Sequence, residues 1–408
     1  MKKVFKSLIL GMGALLFSGG SLFAVELDKM GGVQIHGFIS QGYLYSDENN
    51  FYADTENGTP KFNELGLNFT GDVTDRLKMG VQLFRRNLGE FGGDVELDWG
   101  YASYLMKDWF GLRAGRMKLS HGLYNQVRDV DMTRTSVLLP QSVYNEAWRD
   151  TVNAVDGAGI YGDVNLGNAG SIAYEVQGGT VKVETDGGVA TTTKEQLAMP
   201  FIGINFNPTS AKSTEAEAAS VMWTTPVDGL KFGVSAWNVN LELEGPGTKG
   251  GMVIPILFET NTKEVTTSIE YSMNNLTLAA EYSYNRYDFD LTTPLGKSSS
   301  PLETEGYYAS AAYRFNEIYE LGMYYSLYFA DKDNEDPDEG DPRFQQASDA
   351  YLKDICLSNR FDITKNWIFK LEGHLMDGSA LMMKTNNPTP PGREDDWYLL
   401  AAKMTFSF

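Results

Sequence analysis

The chain has 408 residues, 54 acidic against 34 basic, and a formal net charge of −20. That balance argues against nucleic acid as a partner. No run of about eighteen consecutive apolar residues follows the leader, which excludes a helical membrane span, and the single Cys356 excludes an internal disulfide and reads as an inert packed thiol.

The first element is an export leader. Lys2, Lys3 and Lys6 precede an apolar run at 8–17 and small residues at 18–21, with cleavage expected after Ala24. Residues 1–24 therefore read as a signal peptide and 25–408 as one domain, because no Pro/Ser-rich linker or composition break divides the rest. Losing three lysines takes the charge from −20 to −23. Export without a membrane helix leaves periplasm, medium or outer membrane.

From residue 33 onward the pattern has period two, the signature of strands. Residues 33–46 set Ile35, Ile39, Tyr43 and Tyr45 against Gln34, His36 and Ser40. Residues 63–72 and 77–87 form a hairpin around DVTD, with Leu65, Leu67, Met79 and Leu83 opposite Glu64, Asn68, Lys78, Gln82 and Arg86. Strands follow at 95–106, 110–118, 158–164 and 171–178. Four more hairpins are predicted: 220–226 with 230–241, 263–273 with 276–288, 304–315 with 319–330, and 347–361 with 367–376. In the last of these, Trp367, Phe369, Leu371 and Leu375 oppose Lys370, Glu372, His374 and Met376. The closing strand, 396–408, has Tyr398, Leu400, Ala402, Met404, Phe406 and Phe408 on one face and Lys403, Thr405 and Ser407 on the other.

The count is sixteen strands. Seven short connections alternate with eight long ones, the latter at about 47–61, 88–94, 119–155, 179–216, 242–262, 289–303, 331–346 and 377–395. An even strand count with short turns on one rim and long loops on the other predicts an all-β, 16-stranded antiparallel transmembrane β-barrel. A closed barrel also satisfies the backbone groups that lipid cannot. Trp109, Phe110, Phe315, Tyr319, Phe361, Trp367 and Phe408 fall at short-turn ends, as an interfacial girdle would. A barrel of this size is too wide for side chains to fill, so a water-filled interior is expected. The acidic stretch 331–341 reads either as a solvated loop or as one bridged by divalent cations; its spacing departs from that of a calcium loop. No cofactor and no metal site are expected.

The closing strand resembles that of bacterial outer-membrane β-barrels. Gly115, Arg116, Met117 and Lys118, followed by Gly122 and Leu123, resemble the segment of phosphate-selective-porin-type and related porin-like proteins in which a strand runs into the constriction loop. Ser120 stands where those families usually carry Pro. The resemblance implies a Gram-negative outer-membrane porin, a homotrimer whose third extracellular loop folds inward. It also implies contact with outer-membrane lipid and lipopolysaccharide, and delivery to the barrel-assembly machinery through the strand ending in Phe408.

The residues themselves make 119–155 the expected constriction. A loop this long with apolar patches at 137–139 and 143–144 is poorly suited to hang in water. Arg113, Arg116, Lys118, Arg128, Arg134 and Arg149 lie beside Asp129, Asp131, Glu146 and Asp150, a local charge of 6 − 4 = +2. With His121, and with Lys78, Arg86, Lys370, Glu372, His374 and Lys403 on the lumen wall, this predicts passage of small anionic or neutral solutes with a mild anion preference. In the opposing reading the arginines are paired with Asp129, Asp131 and Asp150 and only brace the loop. Strand phase is also open: if Leu112 and Ala114 face lipid, strict alternation turns Arg116 and Lys118 outward. An enzyme is not expected. His36, His121 and His374 are the only histidines, no hydrolase motif is present, and His121 near Asp129 is the one faint catalytic pair. A structural or adhesive barrel working through its long loops is the other rival.

Overall fold

The computed structural model describes residues 32–408 apart from 90, 200–201, 339, 342 and 388–392. The predicted leader lies outside the described residues. Sixteen long strands form one antiparallel sheet: β1 (Gln34–Ser46), β2 (Phe62–Asp72), β3 (Leu77–Leu88), β4 (Glu96–Lys107), β5 (Phe110–Lys118), β6 (Ala154–Asn165), β7 (Ser171–Val181), β8 (Ser210–Thr224), β9 (Leu230–Lys249), β10 (Met252–Met273), β11 (Leu276–Thr293), β12 (Gly296–Arg314), β13 (Tyr319–Phe329), β14 (Tyr351–Asp362), β15 (Trp367–Gly378) and β16 (Asp396–Ser407). Each pairs with its sequence neighbours, and β1 pairs with β16 to close the ring. At the seam Gly37 and Phe408 exchange backbone hydrogen bonds of 3.1 and 3.0 Å. Two short segments, Phe91–Gly92 and Asn205–Phe206, pair beside β3 and β9.

Alternation sorts the side chains. On β15, Lys370, Glu372 and His374 are buried while Leu371 and Leu375 are exposed; on β16, Lys403 and Thr405 are buried while Tyr398 and Leu400 are exposed. The exposed apolar row is the surface that lipid would cover. At the short-turn rim it ends in close aromatic pairs. Phe315 lies 5.5 Å from Tyr319, Tyr319 lies 5.2 Å from Phe361, and Trp367 lies 4.8 Å from Phe406, centroid to centroid.

Two of the eight predicted long loops are hairpins instead. The stretch 242–262 belongs to β9 and β10, with 20 and 22 residues and a turn at 250–251. The stretch 289–303 belongs to β11 and β12, which turn at 294–295. Strands of twenty residues at about 3.3 Å each run well past an apolar band of about 25 Å. Beyond the band the tips need present no apolar row to lipid, so outward alternation fades while backbone pairing continues, although Leu243, Ile256 and Phe258 near the β9–β10 tip stay buried. The predicted loop 119–155 yields its last two residues to β6.

The interior row is not polar throughout. Towards the long-loop rim it carries Leu44, Leu88, Leu352, Met376 and Leu399, which pack with Phe51 and Tyr52 from one loop, Val137 and Leu138 from a second, and Met382 and Met383 from a third. A ten-residue helix, Gly188–Leu197, sets Ala190 and Leu197 against Leu243, Ile256 and Phe258. Fully burying one such side chain is worth about 1.5–3 kcal/mol, so these loops are seated and not free in water. The expectation of a wholly wet interior fails in this half because buried loops bring their own apolar residues. In the acidic stretch, Arg343 bridges Asp331 and Asp341 at 2.6 and 2.8 Å. Hydrogen bonds from Arg343, with its charge, hold Asp341 down to about 2.

The structure answers the strand-phase question differently for Arg116 and Lys118. Leu112 is exposed and Arg113 turns to the other side, over the rings of Tyr101 and Tyr161 at 4.6 and 4.7 Å. Gly115 then takes φ +127°, a region that side-chain-bearing residues rarely enter. Past it Lys118 is buried, 2.8 Å from Asp98. A Cβ on Gly115 would sit 2.3 Å from the Gly100 carbonyl oxygen, whereas one on Gly178 would meet nothing within 4 Å. Gly115→Ala is therefore expected to lower stability by about 1–3 kcal/mol, and Gly178→Ala to leave it unchanged. Urea unfolding of the barrel in lipid vesicles checks this; equal midpoints would sink the account.

Candidate functional site

Segment 119–153 connects β5 to β6. Its polar side chains meet the inward rows of strands all round the ring. Buried charges are costly unless paired and hydrogen-bonded, and almost every contact here is of that kind.

Asp131 is the hub of one group. It accepts a 2.6 Å hydrogen bond from Thr405 and lies 2.8 Å from Lys403 and 3.2 Å from Arg134. Lys403 also holds Glu64 at 2.5 Å. Lys370 donates to the backbone carbonyls of Asp131 and Ser136 at 2.8 and 2.9 Å. Glu372 accepts the backbone N–H groups of Val137 and Leu138 at 2.7 and 3.0 Å. Arg360 on β14 caps the carbonyl of Met132 at 2.8 Å, and Thr135 donates to Glu320 on β13.

A second group centres on Glu146. Arg86 reaches it at 2.5 Å and Asp150 at 2.9 Å, Arg128 reaches Glu146 at 2.8 Å, and Arg149 pairs with Glu64 at 3.0 Å. Next to it, Lys118 meets Asp98, Asn153 and Asp129, while Gln82 donates to Asp98 and Asp129. On the far side of the ring, His121 Nδ1 lies 2.6 Å from Glu264 on β10. Glu281 on β11 accepts from Tyr144, Tyr308 and the backbone N–H of Leu123 at 2.5, 2.7 and 2.9 Å.

Of the predicted residues, the structure thus gathers Lys118, His121, Arg128, Asp129, Asp131, Arg134, Arg149, Arg86, Lys370, Glu372 and Lys403. His374 joins through Glu372 at 2.9 Å. Arg113 stands apart, paired with Glu175 at 2.5 Å. Two residues are not brought in. Arg116 bonds the Asp98 carbonyl at 3.1 Å and the half-exposed Asp156 carboxylate at 2.7 Å, on the row that carries exposed Ile160. Lys78 sits at the short-turn rim, 70% exposed, with Asp72 3.5 Å away. His121 and Asp129 do not meet, since their partners are Glu264 and Lys118. All six cations counted between 113 and 155 contact a carboxylate, so the local +2 is not a free positive charge. Glu264, Glu281, Glu320 and Arg360 went unnoticed in the sequence, although each occupies the inward phase of its strand.

Burial by itself raises a carboxyl group. Asp131 is nonetheless held well below the ordinary carboxylate range by Lys403 and Lys370, and Glu146 likewise by Arg128, Arg149 and Arg86. Burial lowers an imidazole, yet Glu264 holds His121 above its ordinary value. Beside the segment lie cavities of about 470 Å³, bordered by Arg113, Gln126, Glu175 and Ser268, and about 420 Å³, bordered by Met132, Arg360, Asp362 and Lys365.

No protein-family model matches the chain, and no curated protein matches it. Solved structures share its architecture. The anion-selective porin from Comamonas acidovorans matches with a TM-score of 0.54 at 12% identity, over 92% of this chain and 99% of that one. The outer membrane channel DcaP of Acinetobacter baumannii matches at 0.57 and 13%, over 95% and 100%. OmpT, an outer membrane protein of Vibrio cholerae solved in a trimer form, matches at 0.55 and 11%, over 92% and 99%. At these identities the likeness shows the barrel fold.

The pKa directions set two pH limits on the packing of 119–153. Stabilisation from Asp131 and Glu146 is present above about pH 4, the unfolded carboxylate value, and is lost as pH falls through their depressed values. That from His121 is present below about pH 6.5 and is lost as pH rises through its raised value. Protection of the segment against hydrogen exchange, relative to the intrinsic rate at each pH, is expected to be greatest between these limits. Removing Lys403 strands buried Asp131 and Glu64, so Lys403→Met is expected to cost about 3–5 kcal/mol, read as faster exchange across 131–138.

Proposed function

We propose that this chain is a Gram-negative outer-membrane channel through which small hydrophilic solutes diffuse passively, with segment 119–153 lying across the lumen as its constriction. One observation carries this reading. His121 and Arg149 of a single segment bond Glu264 on β10 and Glu64 on β2, strands half the ring apart. A chain that touches both must pass through the interior. The porins and the channel that share the fold support the reading, as do the cavities beside the segment. The trimer form of one of them supports a homotrimer.

Charge pairing changes the selectivity expected from the sequence. Cations attract anions at a constriction only where their charge is not cancelled locally, and the bases here are matched by Glu64, Asp98, Asp131 and Glu146. The mild anion preference is replaced by weak selectivity of either sign, with the ion pairs acting as braces. A second reading, an adhesive or structural barrel, draws on the apolar clusters beneath the long loops.

Liposome swelling with small sugars separates the two. Wild-type protein is expected to leak them, and replacing 131–146 by a short flexible linker to raise single-channel conductance. Reversal potentials in a salt gradient are expected to stay near zero. A barrel that passes neither sugar nor ions would refute the channel and leave the adhesive reading.

A further inference from the structure

On β14 and β15, beside the braces of segment 119–153, the inward wall brings together three side chains with metal-binding atoms. Cys356 on β14 is the register partner of His374 on β15. Glu372 lies two residues before His374 on the same strand face. All three are fully buried, and the cysteine sulfur, an imidazole nitrogen and a carboxylate oxygen lie within 4.8 Å of one another. Period two and cross-strand register place them there; residues opposite each other in an antiparallel pair hold their Cβ atoms about 5 Å apart.

The histidine is oriented for ligation. Its Nδ1 lies 3.0 Å from Asp354 and its Nε2 2.9 Å from Glu372. With Asp354 accepting the Nδ1 proton, the Nε2 lone pair points at Glu372, the carboxylate–histidine arrangement that orients metal-bound imidazoles. Without a metal, only a doubly protonated ring satisfies both carboxylates. A divalent ion at Nε2 would replace that second proton. Glu372 Oε1 faces Nε2 and also accepts the N–H of Leu138 at 3.0 Å, which leaves one of its two lone pairs for an ion, while Oε2 takes Ser358 and the N–H of Val137, both at 2.7 Å. Tyr324 and Ser358, which contact this cluster, also line a cavity of about 110 Å³ beside it. That is space for a small ion and a water to enter.

We propose that Cys356, Glu372 and His374 form a binding site for a borderline divalent cation of the Zn²⁺ class, with Asp354 fixing the imidazole and the fourth position open to water. Thiolate, imidazole and carboxylate together suit zinc, not calcium or magnesium. Binding releases the Cys356 thiol proton and the Nε2 proton of His374, so affinity rises with pH. Because Glu372 also holds the backbone of Val137 and Leu138, the ion would share its carboxylate with segment 119–153. The proposal does not depend on whether the lumen conducts.

The test uses the full-length barrel in detergent micelles, loaded with Zn²⁺ and dialysed against metal-free buffer. About one Zn²⁺ per chain is expected, falling to background in Cys356→Ser and His374→Gln. Heat-modifiable migration on gels confirms that each variant is folded. Co²⁺ in place of Zn²⁺ is expected to give a thiolate charge-transfer band in the near ultraviolet, absent in Cys356→Ser. Wild-type protein that retains no metal would overturn the proposal. So would retention unchanged in both variants, which puts the ion elsewhere, such as the acidic stretch 331–341. If neither variant folds, the wild-type Co²⁺ spectrum decides, and a missing thiolate band overturns the site.

Discussion

Closure of the sheet is the constraint on which everything else rests. An open sheet of this size would leave two rows of unpaired backbone N–H and C=O groups, each costly in a medium without water. Pairing of β1 with β16 from Phe38–Ser407 to Ser46–Leu399 removes both rows at once. The exchange between Gly37 and Phe408 extends the seam to the last residue of the chain. Glycine fits that corner because a Cβ on Gly37 would fall 2.9 Å from the backbone carbonyl oxygen of Gly66 and 2.7 Å from the Phe408 ring. Once the ring is closed, each strand has one face outside and one inside, and the chemistry of the interior follows from that division.

The interior then faces a second electrostatic problem. It collects Lys370, Lys403, Arg86, Glu64 and Glu372, all nearly inaccessible to solvent once segment 119–153 is in place. Such groups could not stay charged there singly. The segment supplies their complements: Asp131 for Lys403, Glu146 for Arg86, Arg149 for Glu64, and backbone N–H groups for Glu372. Loop and wall are therefore one network. The same ion pairs that hold the loop also cancel one another's charge on the wall. Buried pairs of this kind give a contact its geometry more than its net stability.

Apolar packing completes the arrangement at the long-loop rim. Phe51, Tyr52, Val137, Leu138, Met382 and Met383 come from three separate loops and meet on the inward faces of β1, β3, β14, β15 and β16. Burial of that surface fixes the loops where the wall is apolar, and ion pairs fix 119–153 where the wall is polar. Cys356, Glu372 and His374 lie near that segment, which explains how one carboxylate can serve both a cation site and a loop anchor.

Much of this was legible in the sequence, because strands announce themselves locally. Alternation at 367–376 and 396–408 identified the outward and inward faces of β15 and β16 correctly, and each of the sixteen predicted strands overlaps an observed one. Alternation failed where strands run beyond the apolar band and need present no apolar row to lipid, so the tips of β9–β10 and β11–β12 read as loops. Other features depended on residues far apart in the chain. The burial of Lys118 needed Asp98 on the neighbouring strand. The pairing of Arg149 with Glu64, of His121 with Glu264, and of Cys356 with His374 needed barrel closure and cross-strand register. Period and polarity are properties of neighbouring residues, so the sequence alone determined the barrel, its strand count and its two faces. Which charges cancel, and what the interior can bind, is set by contacts between distant strands, and only the tertiary structure decided it.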